Sequence, residues 1–280
     1  TPAYFLGKSH GFNSVHGRMP SVVTGAALAN RDLVYLGVSG DGDTASIGMG
    51  QFAHVARRNL NMVYIVMNNG CYGLTKGQDS ATADRGSASK KGDPNIYSAI
   101  DLCGTALQMG ATFVARSFSG DKEQLLPLIK AAMSHRGFAI IDVISPCVTF
   151  NNNPQSTKSY EFVREHSEAT GTIDFVPMHK EITAQYQPGS SHEVTMHDGS
   201  SLRLYKADES LNPFDRRSAI TALEDHRYSG SILTGLIYIN EDSRDLHEVL
   251  ETSQKPLNQL DETDLCPGNK MLMNINASLR

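Results

Sequence analysis

The sequence predicts an α/β protein built on a mostly parallel sheet with helices on both faces. Residues 20 to 146 alternate short apolar runs with segments of helical length, and this alternation is typical of parallel strands joined by helices. Unbroken apolar runs are expected of strands that are buried on both faces. In sheets of this kind, ligands bind beyond the carboxyl ends of the strands.

The first two helix–strand pairs carry clear end signals. Pro20 opens a helix predicted over residues 20–30, where a missing N–H costs little, and the apolar run 33–38 follows as a buried strand. A second helix over residues 44–59 ends in two arginines, whose charge suits a helix C-terminus. The run 62–67 is then the second buried strand.

The next two pairs repeat this order. A helix predicted over residues 95–109 precedes a strand over residues 111–118. The helix predicted over residues 122–136 places its leucines and isoleucine on one broad face, and Gly137 follows as a C-cap signal. The run 138–144 is the last strand of this part, and Ser145-Pro146 ends it.

The pattern changes after Pro146. Residues 168–215 are polar and broken by Pro and Gly, but the segments 192–196 and 202–205 flank a His-Asp-Gly-Ser turn and predict a hairpin. Helices are predicted over residues 216–226 and 245–252, with a strand over residues 232–239 between them.

These patterns divide the chain into two parts. We expect an α/β domain over residues 1–167 and a C-terminal extension or docking lobe over residues 168–280. The first residues, Thr1-Pro2-Ala3, include no Met and read like the middle of a loop. We therefore expect that further sequence precedes them in the full protein.

Composition limits the classes of function. The 280 residues are 40% hydrophobic with a net charge of −5, which is globular but offers no clustered positive charge for nucleic acid. No apolar stretch approaches the roughly 20 residues that span a bilayer, and the first residues given do not show the basic-then-apolar pattern of a signal peptide. The four cysteines form no CxxC pair, so reduced thiols and a cytoplasmic location are expected.

The chemistry is expected where the first two predicted strands end. The first strand runs into Gly40-Asp41-Gly42-Asp43, the second ends in Asn68-Asn69, and 25 residues separate Gly42 from Asn68. Gly40 and Gly42 let the backbone approach a bulky anion. A helix beginning near Thr44 would point unpaired N–H groups at that anion. This arrangement predicts a diphosphate site.

The same segments offer oxygen ligands for Mg²⁺. Asp41 supplies a carboxylate oxygen, Asn69 an amide oxygen and Cys71 a backbone carbonyl. Two diphosphate oxygens and a water would complete the six-oxygen shell that Mg²⁺ prefers. A Gly-Asp-Gly turn alone is often an ordinary turn with a solvated Asp; the combination with Asn-Asn at the next strand end is much more specific.

This combination resembles the thiamine diphosphate motif and, more narrowly, the β subunits of the 2-oxoacid:ferredoxin oxidoreductases. Three segments over residues 12–18, 40–50 and 68–78 carry the resemblance, which covers residues 1 to 165. It implies a thiamine-diphosphate-binding fold with Mg²⁺ ligands at Asp41, Asn69 and the Cys71 carbonyl. The implied cofactor contacts are His16, Gly42, Asp43, Gly73 and Leu74. The family more often has a bulky apolar residue where Cys71 stands, a change that a backbone ligand tolerates.

Two residues are candidates for catalytic roles. Lys76 follows the metal loop, and its ammonium could pair with the carboxylate of a 2-oxoacid; a solvated loop lysine is the alternative. His16 lies in a Gly-flanked turn, where it could hydrogen-bond the diphosphate or a reacting oxyanion, although a lone His is more often structural.

Cys147 follows the last predicted strand of the domain. Most single cysteines are buried free thiols, but the resembling subunits have a cysteine here that ligates a [4Fe–4S] cluster. Their other three cluster cysteines have no counterpart in this sequence. Either an upstream segment carries those ligands, which we expect, or the protein lacks the cluster.

The resemblance implies oxidative decarboxylation of a 2-oxoacid onto coenzyme A, with electrons passed to ferredoxin. It favours 2-oxoglutarate as substrate, with pyruvate or a broad range of 2-oxoacids next. A partner α subunit, or a fused γ–α subunit, is implied because the chain has one thiamine-type domain. The alternatives are a non-oxidative thiamine diphosphate decarboxylase or synthase and a non-catalytic nucleotide-binding subunit.

Overall fold

The computed structural model describes residues 7–75, 77–87, 94–145, 183–195, 201–207, 210–266 and 268–279. Nine strands are present in these residues: β1 Leu36–Gly40, β2 Met62–Asn68, β3 Cys71–Tyr72, β4 Gln78–Asp79, β5 Phe113–Phe118, β6 Phe138–Ile144, β7 Ser191–Thr195, β8 Ser201–Lys206 and β9 Ile232–Ile239. None of the helices in the described part of the chain has the length and apolarity needed to cross a membrane.

Eight α-helices are assigned in the same residues: α1 Met19–Ala29, α2 Met49–Arg57, α3 Leu102–Gln108, α4 Lys122–Ser134, α5 Arg216–Tyr228, α6 Leu246–Val249, α7 Glu262–Leu265 and α8 Gly268–Ser278. A π-helix over Gly42–Ile47 precedes α2, and a 3₁₀ turn lies at Leu257–Gln259.

Seven strands form one sheet in the order β1-β2-β6-β5-β9-β8-β7. The first four are parallel to one another. Strand β9 then joins β5 antiparallel, β8 joins β9 parallel, and β7 closes the edge antiparallel to β8. The prediction of a mostly parallel α/β sheet is confirmed, and the predicted hairpin is the β7–β8 pair.

Helices cover both faces of the sheet. On one face, α1, α2, α3 and α5 pack on alternate residues of the strands, with the rings of Phe52, Tyr64 and Phe138 in mutual edge contact at centroid distances of 5.7–6.2 Å. On the other face, α4 packs through Leu128 and Ala132 on residues such as Ile141. This alternation explains why the strands read as unbroken apolar runs.

The described part of the predicted C-terminal lobe belongs to the same sheet and core. Strands β7, β8 and β9 extend the sheet, and Ala219 and Leu223 of α5 pack in the cluster that contains Phe52. An ion pair of 2.8 Å joins Lys206 of β8 to Asp121, which caps α4. The division at residue 167 stays a prediction, because residues 146–182 lie outside the described residues.

Several predicted boundaries were wrong. The strand predicted over residues 33–38 is β1, which is shifted to Leu36–Gly40. The helix predicted over residues 95–109 begins only at Leu102, because Asp101 accepts a hydrogen bond from the Cys103 amide and caps it there. The residues before it form a loop in which Asn95 hydrogen-bonds the carbonyls of Ala83 and Asp84.

The helix predicted from Thr44 was also wrong in its start and form. It begins as the π-helix at Gly42, and the Gly48 amide donates to the Asp43 carbonyl at 2.9 Å before α2 continues. A wide turn of this kind is often found at functional sites.

Candidate thiamine diphosphate and metal site

Asp41 and Asn69 lie side by side at the carboxyl edge of the sheet. Strands β1 and β2 pair in parallel with Gly40 opposite Met67, so the residues that follow each strand leave the sheet together. The backbone N–H of Asn69 donates to Asp41 Oδ1 at 3.3 Å. The side-chain oxygen of Asn69 accepts from the Cys71 amide at 3.0 Å, which holds Asn69 over the start of β3.

Two hydroxyls hold the other oxygen of Asp41. Ser80 and Thr82 both donate to Oδ2, Thr82 at 2.6 Å, and the Asp41 side chain is buried, with 1% exposed. A buried carboxylate needs such partners. Oδ2 takes these two short hydrogen bonds, whereas Oδ1 faces the Asn69 side, where it accepts only the longer 3.3 Å contact among the described residues.

Gly42, the first residue of the π-helix, lies against Tyr72 of β3, which follows Asn69. A side chain at Gly42 would bring its Cβ within 2.5 Å of the Tyr72 ring, and the Tyr72 hydroxyl donates to the Gly42 carbonyl at 2.9 Å. Only a glycine permits this close approach. The contact joins the two loops that carry Asp41 and Asn69.

His16 is held over the same edge by Asp43. The carboxylate of Asp43 accepts from the His16 Nδ1 and the Gly17 amide, both at 2.8 Å, and from the Ser39 hydroxyl. Since a carboxylate only accepts, Nδ1 carries the hydrogen. The ring of His16 is otherwise exposed, with 81% of the side chain open to solvent.

The loop that carries His16 packs tightly on the end of the π-helix. Gly17 has φ of 71°, and a Cβ there would meet Ile47 at 2.7 Å. The predicted cofactor contact of Asp43 stays a prediction. In this structure its carboxylate oxygens accept hydrogen bonds from the His16 turn and from Ser39.

The remaining predicted contacts differ in their surroundings. Gly40 has open space around its Cα, whereas the Thr44 hydroxyl points into the core and contacts the Tyr64 hydroxyl at 3.0 Å. Thr44 can therefore serve the site only through its backbone. Gly73 and Leu74 lie in the turn after β3, and Leu74 is 97% exposed.

The predicted roles of Lys76 and Cys147 fall on residues outside the described ones. Two of the described cysteines, Cys103 and Cys266, are free thiols, and Cys71 is buried. In the described ranges, no three His, Cys, Asp or Glu side chains group together as metal ligands. The [4Fe–4S] cluster thus stays a prediction.

A buried charged group lies directly beneath the strand tips. Arg116 of β5 donates through Nε to Asp142 Oδ2 of β6 at 2.9 Å and also pairs with Asp101. Burial raises the pKa of the Asp142 carboxyl, and Arg116 and the Asn68 amide offset this only in part. Burial also acts to raise the pKa of Asp101, but Arg116 and the backbone amides of Gly104 and Cys103 together outweigh it, and the pKa is lowered.

The donor set fits a magnesium-bound diphosphate. Asp41, Asn69 and the Cys71 carbonyl are oxygen ligands of the kind that Mg²⁺ binds, and they lie on two adjoining strand tips. The glycine at position 42 lets the backbone come close, and the π-helix presents backbone N–H groups at its start.

Comparison with known proteins agrees with this reading. Residues 1–143 match the family described as "Thiamine pyrophosphate enzyme, C-terminal TPP binding domain". The β subunit of a 2-oxoacid:ferredoxin oxidoreductase from Saccharolobus solfataricus is 32% identical over 264 residues, 93% of this chain and 81% of that subunit. This chain belongs to that β-subunit family.

Two further relatives support the family. A β subunit of the same name from Sulfolobus sp is 45% identical over 54% of this chain. The second is the solved structure of a 2-oxoglutarate:ferredoxin oxidoreductase from Magnetococcus marinus with 2-oxoglutarate, coenzyme A and succinyl-CoA bound. It is 29% identical with a TM-score of 0.69, and the match covers 95% of this chain and 76% of that chain. The chain spans about half the length of several curated relatives, 50% for the Sulfolobus subunit and 45% for one from Aeropyrum pernix.

The residues that support Asp41, directly or through other side chains, were not predicted from the sequence. Ser80, Thr82, Asp142 and Arg116 were not among the predicted site residues. A signal was present for two of them: each of the runs Phe113–Phe118 and Phe138–Ile144 carries one charged residue in an otherwise mostly apolar strand. A buried charge needs a partner, and Arg116 and Asp142 are partners.

Proposed function

We propose that this chain is the thiamine-diphosphate-binding β subunit of an enzyme that oxidatively decarboxylates a 2-oxoacid onto coenzyme A and passes electrons to ferredoxin. The observation that carries the proposal is the contact between the Asp41 carboxylate and the backbone N–H of Asn69 across two adjoining strand tips. Membership of the β-subunit family supports the reaction. The finer choice of 2-oxoglutarate is favoured by the Magnetococcus relative, which was solved with that substrate.

The chain's own residues would bind and orient the cofactor. Asp41 Oδ1, the Asn69 amide oxygen and the Cys71 carbonyl would hold Mg²⁺, and the N–H groups that open the π-helix would face the diphosphate. When bound, thiamine diphosphate stabilises a carbanion at the keto carbon of the substrate.

Two side chains are proposed to act on the substrate. His16, whose Nδ1–H is donated to Asp43, would donate a hydrogen from its other ring nitrogen to a phosphate or reacting oxygen in the imidazolium form, in which both nitrogens are donors. Lys76 would pair with the substrate carboxylate. A partner α or fused γ–α subunit would complete the site, Cys147 would contribute to a [4Fe–4S] cluster, and the assembly would work in the cytoplasm.

The experiment is anaerobic purification of the chain together with its partner subunit, followed by metal analysis and an assay with methyl viologen. We expect coenzyme-A-dependent viologen reduction with 2-oxoglutarate, and less with pyruvate. If the rate with pyruvate exceeds the rate with 2-oxoglutarate, pyruvate and not 2-oxoglutarate is the preferred substrate. No coenzyme-A-dependent reduction with any 2-oxoacid would contradict the proposed reaction.

The same preparation separates the oxidative reaction from a non-oxidative one. Iron with absorbance near 400 nm is expected if the cluster is present. Decarboxylation of the 2-oxoacid without iron and without viologen reduction would favour a non-oxidative thiamine diphosphate enzyme instead.

A further inference from the structure

Asn68 occupies a central position that the proposed function does not use. It is the last residue of β2, directly before the metal-binding Asn69. Its Nδ2 donates to Asp142 Oδ1 at 3.0 Å, and its Oδ1 lies 3.1 Å from the Thr82 hydroxyl. The side chain therefore bridges the middle of the sheet and the loop after β4.

The Arg116–Asp142 pair fixes the orientation of the Asn68 amide. Both Asp142 oxygens accept N–H groups, one from Arg116 and one from Asn68, so the amide nitrogen of Asn68 must face Asp142. The amide oxygen is then directed to Thr82. Asp142 is buried, and Arg116 is held at its other end by Asp101, the residue that caps α3.

Thr82 passes this order to the metal ligand. Its hydroxyl is 2.6 Å from Asp41 Oδ2 and 3.1 Å from Asn68 Oδ1. One hydroxyl hydrogen serves both acceptors, the shorter contact being to the carboxylate. With Oδ2 held by Thr82 and Ser80, Oδ1 keeps its direction toward the Asn69 side of the site.

We infer that Asn68 is a positioning residue for the metal site, linking the buried Arg116–Asp142 pair through Thr82 to Asp41. This inference rests on the proposed binding of Mg²⁺ and thiamine diphosphate at Asp41. Asn68 acts on Asp41 through the Thr82 hydroxyl and on Asn69 through the adjoining backbone. Partners of this kind fix the direction of metal ligands.

The direct test is the Asn68→Ala variant in the assembled enzyme, titrated with Mg²⁺ in the calorimeter at saturating thiamine diphosphate. We expect the affinity for Mg²⁺ to fall about tenfold, the low end of the range for such partners. Thermal unfolding of the same samples shows whether the loss is a general effect on the fold.

Asn59→Ala is the matched control. Asn59 lies at the opposite edge of the sheet, where its amide accepts from Thr112 and the Phe138 amide, both at 2.8 Å, and donates to the Arg244 carbonyl at 2.9 Å. The same substitution there should lower the unfolding temperature at least as much as Asn68→Ala. The affinity for Mg²⁺ should stay at the wild-type value.

Thr82→Val provides a second route if Asn68→Ala does not fold. This variant keeps the shape of the side chain and removes the hydroxyl, and we expect a similar loss of Mg²⁺ affinity that Thr82→Ser largely restores. The double variant with Asn68→Ala should lose clearly less than the sum of the two single losses, because both act through one chain of contacts.

The outcomes separate this inference from the proposed function. If wild-type enzyme shows no Mg²⁺-dependent binding of thiamine diphosphate, the proposed function fails and the inference fails with it. If wild-type enzyme binds and folded Asn68→Ala keeps its affinity, the inference alone fails, because Thr82 also contacts Asp41 directly and its variant cannot rescue the claim. If Asn68→Ala does not fold, wild-type affinity in Thr82→Val overturns the inference. Equal affinity losses in Asn68→Ala and Asn59→Ala would likewise overturn it, because they would indicate a general effect on the fold.

Discussion

An asparagine side chain lies at each edge of the parallel sheet, and the two asparagines have different roles. At the amino edge, Asn59 hydrogen-bonds the residue before β5, the first residue of β6 and the chain before α6. At the carboxyl edge, Asn68 hydrogen-bonds β6 and the loop that holds Asp41. Both amides join distant segments, but only the second lies beside a carboxylate at adjoining strand tips.

The difference lies in what each cluster leaves available. At the amino edge, the oxygen of Asn59 has two donors and its nitrogen has an acceptor, so the cluster is complete within the fold. At the carboxyl edge, Asp41 Oδ2 has strong donors, whereas Oδ1 has the 3.3 Å contact with the Asn69 amide. The cluster at the amino edge therefore stabilises the sheet, whereas the cluster at the carboxyl edge leaves a carboxylate oxygen that is suited to bind a metal ion.

A glycine at each edge tests this contrast with the same substitution. The larger effect on binding is expected from Gly42→Ala, whose new Cβ would lie 2.5 Å from the Tyr72 ring. The ring must move and lose its bond to the Gly42 carbonyl. Affinity for thiamine diphosphate, measured by calorimetry with Mg²⁺, should fall about a hundredfold. An unchanged affinity would show that this close approach does not support the site.

Gly137→Ala is the counterpart at the amino edge. Gly137 has φ of 129°, and a Cβ there would lie 2.6–2.8 Å from the Asn59 amide and the Thr112 hydroxyl. We expect the free energy of unfolding to fall by about 2 kcal/mol, measured by urea denaturation. The fraction that remains folded should bind thiamine diphosphate as the wild type does. A loss of affinity in folded protein would contradict the separation of the two edges.

The sequence predicted the strands more closely than the site that they support. Strands β6 and β9 have their predicted bounds because mostly apolar runs between turn residues mark them. The pairing of Asp41 with Asn69 was predicted because each residue follows a strand, and parallel strands end at one edge. The predicted start of α3 was wrong because Asp101 caps the helix, so the preceding loop ends later than the pattern suggested.

The support for Asp41 could not be predicted from local pattern. Thr82 is 41 positions from Asp41, and Asp142 is 74 positions from Asn68. Spacing of that size leaves no periodic signal, so the strand order of the sheet decides these contacts. The charged residues within β5 and β6 are a sequence signal for a buried pair that was not used, and that signal does not say which strand tip the pair supports.

The smallest expected effect concerns pH and belongs to the amino edge. Burial lowers the pKa of His135, whose Nε2 is 2.8 Å from the Thr112 hydroxyl. The unfolded chain, with an ordinary histidine pKa of about 6.5, binds the proton first as pH falls. The contribution of His135 to stability is therefore present above about pH 6.5 and lost below it as the pH falls through the lower pKa of the folded state.

The check is thermal unfolding of wild type and His135→Gln at pH 7.5 and 5.5. The decrease in unfolding temperature between these pH values should be roughly 1–2 °C smaller in the variant. Equal decreases would mean that His135 does not couple this edge to pH.

The most direct measurement compares Asp41→Asn with Asp121→Asn. Both aspartates are buried, with 1% exposed, and each accepts hydrogen bonds or pairs with a cation, but only Asp41 lies at the proposed metal site. Calorimetric titration of the assembled enzyme with thiamine diphosphate and Mg²⁺ should show wild-type binding for Asp121→Asn and an affinity reduced at least a hundredfold for Asp41→Asn. Binding by Asp41→Asn at the wild-type affinity would contradict the assignment of the metal to the strand tips.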